Sequence, residues 1–129
     1  MQVLVVEVIG MHPDAEISFV TDSEYRINSD RRLMKRALEN LVDNAVKYTA
    51  DGKVGIEIRE GKFSISNACE KLSDKEINEM WLPYHRGQNP SASGHGLGLA
   101  IVKNIFDLHK LKYGTKYENG RICIWFYLT

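Results

Sequence analysis

Asn40, Asn44, Lys47 and Tyr48 stand three or four residues apart within the run NLVDNAVKY. On a helix that spacing projects all four from one face. Two carboxamides, an amine and an aromatic ring together suit a metal, a phosphate and a base. The neutral oxygen of Asn44 fits a hard Mg²⁺ that keeps most of its waters and bridges phosphates. Some fifty residues later, Gly94-His95-Gly96-Leu97-Gly98-Leu99 opens a second helical pattern. Glycines there let bare main-chain N–H groups approach phosphate oxygens, and the helix adds its positive end. Arg86, at the edge of a polar stretch before this loop, is a cation of the kind that pairs with phosphate oxygens.

The elements that must position these residues are legible from periodicity and punctuation. Val3 to Ile9 reads as a short helix or as the end of a longer one. Ile17–Val20 and Tyr25–Asn28 are β-rich runs predicted to pair as a hairpin. Ser29 and Asp30 are N-cap types for a helix that buries Leu33, Ala37, Leu38, Leu41, Val42 and Ala45 and ends near Tyr48, before Ala50-Asp51-Gly52. Val54–Arg59 and Lys62–Asn67 alternate around Glu60-Gly61 as a hairpin. Ser73 and Glu76 form a capping box for a short helix carrying Ile77, Met80 and Trp81, stopped by Pro83. Gly87–Ser93 is a polar lid-like loop. Leu97–His109 is predicted helical with Leu97, Ala100, Ile101, Ile105 and Leu108 inward. Leu111–Glu118 and Ile122–Leu128 form a last hairpin around Asn119-Gly120. The expected product is a single domain over 1–129. Its class is an α/β two-layer sandwich, a mixed, mostly antiparallel sheet with about three helices on one face.

Composition excludes several classes. Among 129 residues, 17 basic side chains balance 17 acidic ones, so no global field draws the chain to nucleic acid or an anionic membrane. No apolar run approaches the roughly 20 residues of a membrane span, and Met1–Ile9 lacks the basic leader of a signal peptide. Cys69 and Cys123, at no metal-ligand spacing, fit a reducing cytosol. The cluster Arg31, Arg32, Lys35, Arg36 is either a solvated face or a docking patch.

In this order and spacing the two motifs resemble the ATP-binding catalytic domain of sensor histidine kinases, in the superfamily shared with DNA gyrase and the heat-shock ATPases. The resemblance runs from about Ile17 onward and implies a Bergerat-type ATP-binding fold. It implies ATP and Mg²⁺ as cofactors, with Asn44 as the metal ligand, Lys47 near a phosphate and Tyr48 near the base or sugar. Asn40 occupies the position where hydrolase branches carry a glutamate general base, and an amide cannot take a proton near neutral pH. That points to phosphoryl transfer, with Asn40 and Arg86 as the catalytic pair, rather than hydrolysis.

Trp81 to Arg86 resembles the family's aromatic box. Asn67 stands where an adenine-reading Asp is usual, Cys69 and Lys71 replace two glycines, and Leu72 matches a pocket aliphatic. The implied partners are a dimerisation/histidine-phosphotransfer domain of the same parent and, indirectly, a response regulator. The implied location is cytoplasmic, under a parent anchored in the plasma membrane, with no direct membrane contact by this domain. The alternative is a degenerate regulatory module of the same fold that binds nucleotide weakly.

Overall fold

A computed structural model describes residues 1–70, 72–82 and 98–129. Within them lie α1 (Gln2–Ile9), β1 (Glu16–Thr21), α2 (Arg31–Tyr48), β2 (Lys53–Arg59), β3 (Lys62–Ala68), α3 (Asp74–Glu79), α4 (Gly98–Leu108), β4 (Tyr113–Glu118) and β5 (Arg121–Tyr127). The strands form one sheet in the order β1-β2-β3-β5-β4. Only β1 and β2 run parallel; the other three pairings are antiparallel. The predicted two-layer class is therefore correct, with α1, α2 and α4 contributing buried side chains to a common core.

Alternation builds the sheet's inner face. Val54, Ile56 and Ile58 of β2, Phe63 and Ile65 of β3, and Ile122, Ile124 and Phe126 of β5 are all buried. Aromatic rings link the layers: Phe106 of α4 lies 4.5 Å from Phe126 and 5.3 Å from Tyr113. Positive φ at Glu60, Gly61, Asn119 and Gly120 makes both hairpin turns as their sequences predicted.

Three expectations are corrected. Tyr25–Asn28 is not a strand, so the first hairpin does not form; β1 pairs in parallel with β2 instead. A parallel pair needs a crossover, and α2 supplies it. The Tyr25 main-chain N–H is taken by Gln2 Oε1 at 3.3 Å, and Tyr25 and Ile27 pack their side chains on the core. On α2 it is Met34 that is fully buried, with Leu33 only partly so. On α4 the inward side chains are Leu99, Ala100, Val102, Ile105 and Phe106, whereas Leu108 is 68% exposed. The first turns of α4 are apolar all round, so periodicity could not choose the face. Stacking of Phe106 on Phe126 did.

The end of α4 is a Schellman motif, with Leu111 N donating to Phe106 O and Lys110 N to Asp107 O. Its left-handed residue is Lys110, at φ 56, where a glycine would sit without strain. The left-handed conformation costs a non-glycine residue about 1–2 kcal/mol. Glycine's extra unfolded-state entropy costs about 0.5–1 kcal/mol. Lys110→Gly should therefore stabilise the fold by about 0.5–1 kcal/mol, readable as a raised midpoint in denaturant titration.

Candidate nucleotide site

Helix α2 begins at Asp30, whose carboxylate accepts from the main-chain N–H groups of Arg32 and Leu33 at 2.9 and 3.2 Å. That cap and the buried stripe Met34, Ala37, Leu38, Leu41, Val42 and Ala45 fix how the helix lies on the sheet. Asn40, Asn44, Lys47 and Tyr48 consequently share the face beside the stripe, and none of them is fully buried. The basic cluster on the first turns is partly neutralised. Glu7 of α1 pairs with Arg31 at 2.9 Å and with Lys35 at 3.6 Å.

The two carboxamides are held differently. Asn40 donates through Nδ2 to the Arg36 carbonyl at 2.9 Å, one turn back. A Cβ built on Gly98, the first residue of α4, would stand 3.6 Å from Asn40 Oδ1. The start of the second motif's helix thus lies against the middle of the first motif's helix. Asn44, one turn further along α2, is half-buried, and among the described residues nothing hydrogen-bonds its carboxamide. Its carboxamide is thus open to solvent or to a ligand.

Lys47 pairs with Asp43 at 3.0 Å across one turn. An exposed pair of this kind is worth only about 0.3–0.5 kcal/mol, so exchanging Asp43 for a phosphate is cheap. Tyr48 is the half-buried last residue of α2. Leu99, in the first turn of α4, sends its side chain into the core, so any part it plays at the site would be through its main chain. Leu72 is partly exposed just before α3. Arg86, Gly94, His95, Gly96 and Leu97 lie outside the described residues, as does the Gly87–Ser93 loop.

Asn67 ends the inner face of β3 and is the one buried polar residue among those described, 5% exposed. Its Nδ2 donates to the Ala68 carbonyl at 3.2 Å, and that carbonyl also accepts from Ala50 N at 2.8 Å. Oδ1 is then the atom left to accept from a ligand. The segment after β3 is tied to the last hairpin: Cys69 N donates to Gly120 O at 3.0 Å, and Tyr117 Oη to Cys69 O at 3.0 Å. Cys69 and Cys123 are free thiols, and burial pushes the pKa of each up from its ordinary value.

Trp81 is buried in the core and donates from Nε1 to Thr115 Oγ1 at 3.0 Å. Spacing gave no sign of this partner, nor of a bond from the Asp30 main-chain N–H to His109 Nε2 at 3.1 Å. Both contacts join residues more than thirty positions apart.

The family model described as histidine kinase-, DNA gyrase B- and HSP90-like ATPase matches residues 29–129. The chain belongs to this family. Among curated relatives of this family member, the sensor histidine kinase ArsS of Helicobacter pylori is 42% identical over 106 residues, 81% of this chain and 24% of that protein. The sensor histidine kinase YvrG of Bacillus subtilis is 34% identical over 114 residues, 82% of this chain and 19% of that protein. The chain thus spans about a quarter or less of the length of these relatives. Among solved structures, a catalytic domain of the histidine kinase ThkA superposes with a TM-score of 0.83 at 26% identity, covering 99% of this chain and 91% of that one. The mycobacterial sensor histidine kinase MprB shares the fold at a TM-score of 0.82 and 23% identity, over 99% of this chain and 93% of that one.

Proposed function

We propose that this chain is the ATP-binding catalytic unit of a protein-histidine kinase, a single domain spanning 1–129 that presents the γ-phosphoryl of ATP to a histidine on a partner domain. The observation that carries the reading is the placement of Gly98 against Asn40, one helical turn from Asn44, whose carboxamide has no partner among the described residues. An amide suited to a metal and a helix start suited to phosphates are thereby neighbours, which supports the reading. The residues present fit Mg²⁺-ATP. Asn44 Oδ1 would hold the metal, Lys47 and the first N–H groups of α4 the phosphates, and Asn67 Oδ1, Tyr48 and Leu72 the base.

Magnesium, when bound, supplies charge neutralisation along the phosphates. The chain's own contribution is orientation. Asn40 cannot act as a base, because a carboxamide takes no proton near neutral pH; its Nδ2 donates to Arg36 O. The nucleophile must therefore come with the acceptor, and an imidazole supplies one without a protein base. Arg86 would offset the charge that develops on the transferring group. The acceptor is the dimerisation/histidine-phosphotransfer domain of the parent, which in turn serves a response regulator; the setting is cytoplasmic, beneath a membrane-anchored parent. A ThkA structure in complex with the response regulator TrrA supports that class of partner.

The second reading, a regulatory module with weak nucleotide binding, rests on Asn67. Its neutral amide replaces a carboxylate and is tied to Ala68 O. One experiment separates the two. The chain alone with ATP and Mg²⁺ should acquire no stable phosphohistidine and release phosphate very slowly, and adding the parent's acceptor domain should restore labelling. Rapid phosphate release by the pure chain would favour a hydrolase. Failure of the acceptor domain to become labelled would favour the regulatory module.

A further inference from the structure

We propose that His109 is a positioning residue for the nucleotide site, fixing the axial register of α4 on α2; the inference rests on the nucleotide-binding reading above. His109 caps the C-terminal end of α4. Its Nδ1–H donates to the Ile105 carbonyl at 2.8 Å, and its Nε2 accepts from the Asp30 main-chain N–H at 3.1 Å. The two bonds together require the neutral Nδ1–H tautomer and leave the ring one orientation. Asp30 is the N-cap of α2, so this ring joins the last turn of one site helix to the first turn of the other.

The two helices approach at a second point, where a Cβ added to Gly98 would stand 3.6 Å from Asn40 Oδ1. They therefore run antiparallel, clasped at both ends of α4. The spacing between the clasps agrees on the two sides. Asp30 to Asn40 is ten residues, about 15 Å, and His109 to Gly98 is eleven residues, about 16.5 Å, at the helical rise. A slide of α4 along α2 would move the first N–H groups of α4 relative to Asn44 by the same amount. The contacts between are apolar: Leu41 and Val42 of α2, and Val102 and Ile105 of α4, belong to one buried cluster. Those packed contacts set the face on which the helices meet, and the directional bond at His109 adds an axial restraint at the end of α4 remote from Gly98. Phosphate-binding geometry tolerates only about 0.5 Å of misplacement, so a remote latch of this kind acts on affinity.

Side-chain length makes the test specific. His109→Asn keeps an acceptor and donor near Nδ1 but cannot reach Asp30, whereas His109→Gln places its amide oxygen near the former Nε2. With both variants folded, His109→Asn should weaken Mg²⁺-ADP affinity by about three- to tenfold, the worth of one lost hydrogen bond. His109→Gln should restore it to within about twofold. Amide spectra in the absence of nucleotide give the independent readout. In His109→Asn the Gly98 main-chain and Asn40 side-chain signals should move, although both lie about 15 Å or more from the substitution. Shifts confined to the neighbours of His109 and Asp30, or moved Gly98 signals with unchanged ADP affinity, would overturn the proposal. Failure of the wild-type chain to bind ADP would overturn the nucleotide reading and this inference together, and titrating the wild type first makes that failure distinguishable.

Discussion

Asn44→Ala should abolish kinase activity and reduce Mg²⁺-dependent nucleotide affinity by at least about tenfold, since even residues behind a metal ligand cost ten- to a hundredfold when removed. The fold should survive. Asn44 lies beside the buried stripe of Leu41, Val42 and Ala45 rather than within it, and no described residue depends on its carboxamide. Alanine is also the better helix former by a few tenths of a kcal/mol, so the variant should melt at or slightly above the wild-type temperature. Nucleotide titrations with Mg²⁺ and with chelator isolate the metal's share. The difference between the two should be large in the wild type and nearly vanish in Asn44→Ala. A folded Asn44→Ala protein with unchanged Mg²⁺-ADP affinity would remove Asn44 as the metal ligand.

The face that carries Asn44 was legible before any coordinates because α2 obeys a single rule. Its apolar stripe is narrow and its polar face clean, so spacing alone orients Asn40, Asn44, Lys47 and Tyr48. The β2–β3 and β4–β5 hairpins were equally legible, since Glu60-Gly61 and Asn119-Gly120 adopt the positive φ their turns need. Three features escaped for one physical reason: long-range partners decide them. Tyr25–Asn28 has strand-like residues but lost its neighbour, because β1 found a parallel partner in β2 across the α2 crossover. Helix α4 is too uniformly apolar for periodicity to choose between Leu108 and Phe106, and the Phe126 ring made the choice. His109 stood in the sequence only as the end of a predicted helix, because its partner, the Asp30 N–H, lies 79 positions away. At the candidate site, residue type nominated the ligands proposed above, and the structure added which donors and acceptors are already spent.

That accounting changes what Asn67→Asp should do. On residue type alone the substitution would tighten adenine nucleotide binding by about five- to tenfold, through a charge-assisted hydrogen bond worth about 1 kcal/mol more. In the fold, however, Asn67 is 5% exposed, and its Nδ2 is the donor that meets Ala68 O. A carboxylate there turns an attraction into an acceptor facing an acceptor, at a cost of about 1–3 kcal/mol in the nucleotide-free protein. The cost depends on pH with a definite sign. Burial against a carbonyl raises the folded-state pKa of the new carboxyl above its unfolded value. Below the unfolded pKa the acid is protonated in both states, and its hydroxyl can donate to Ala68 O in place of the amide. As pH rises from the unfolded value through the raised folded one, the folded state must give up that proton, and stability is lost. Asn67→Asp should therefore match the wild type in acid and fall behind it toward neutrality. ADP should recover part of the deficit at neutral pH, because its 6-amino group brings a donor to the buried carboxylate. A purine nucleotide lacking that group should recover less. Thermal melts of both proteins across pH, with each nucleotide, read all of these effects at once. Equal stabilisation of the wild type by the two nucleotides would mean that Asn67 does not read adenine, leaving the base to Tyr48, Leu72 and the main chain.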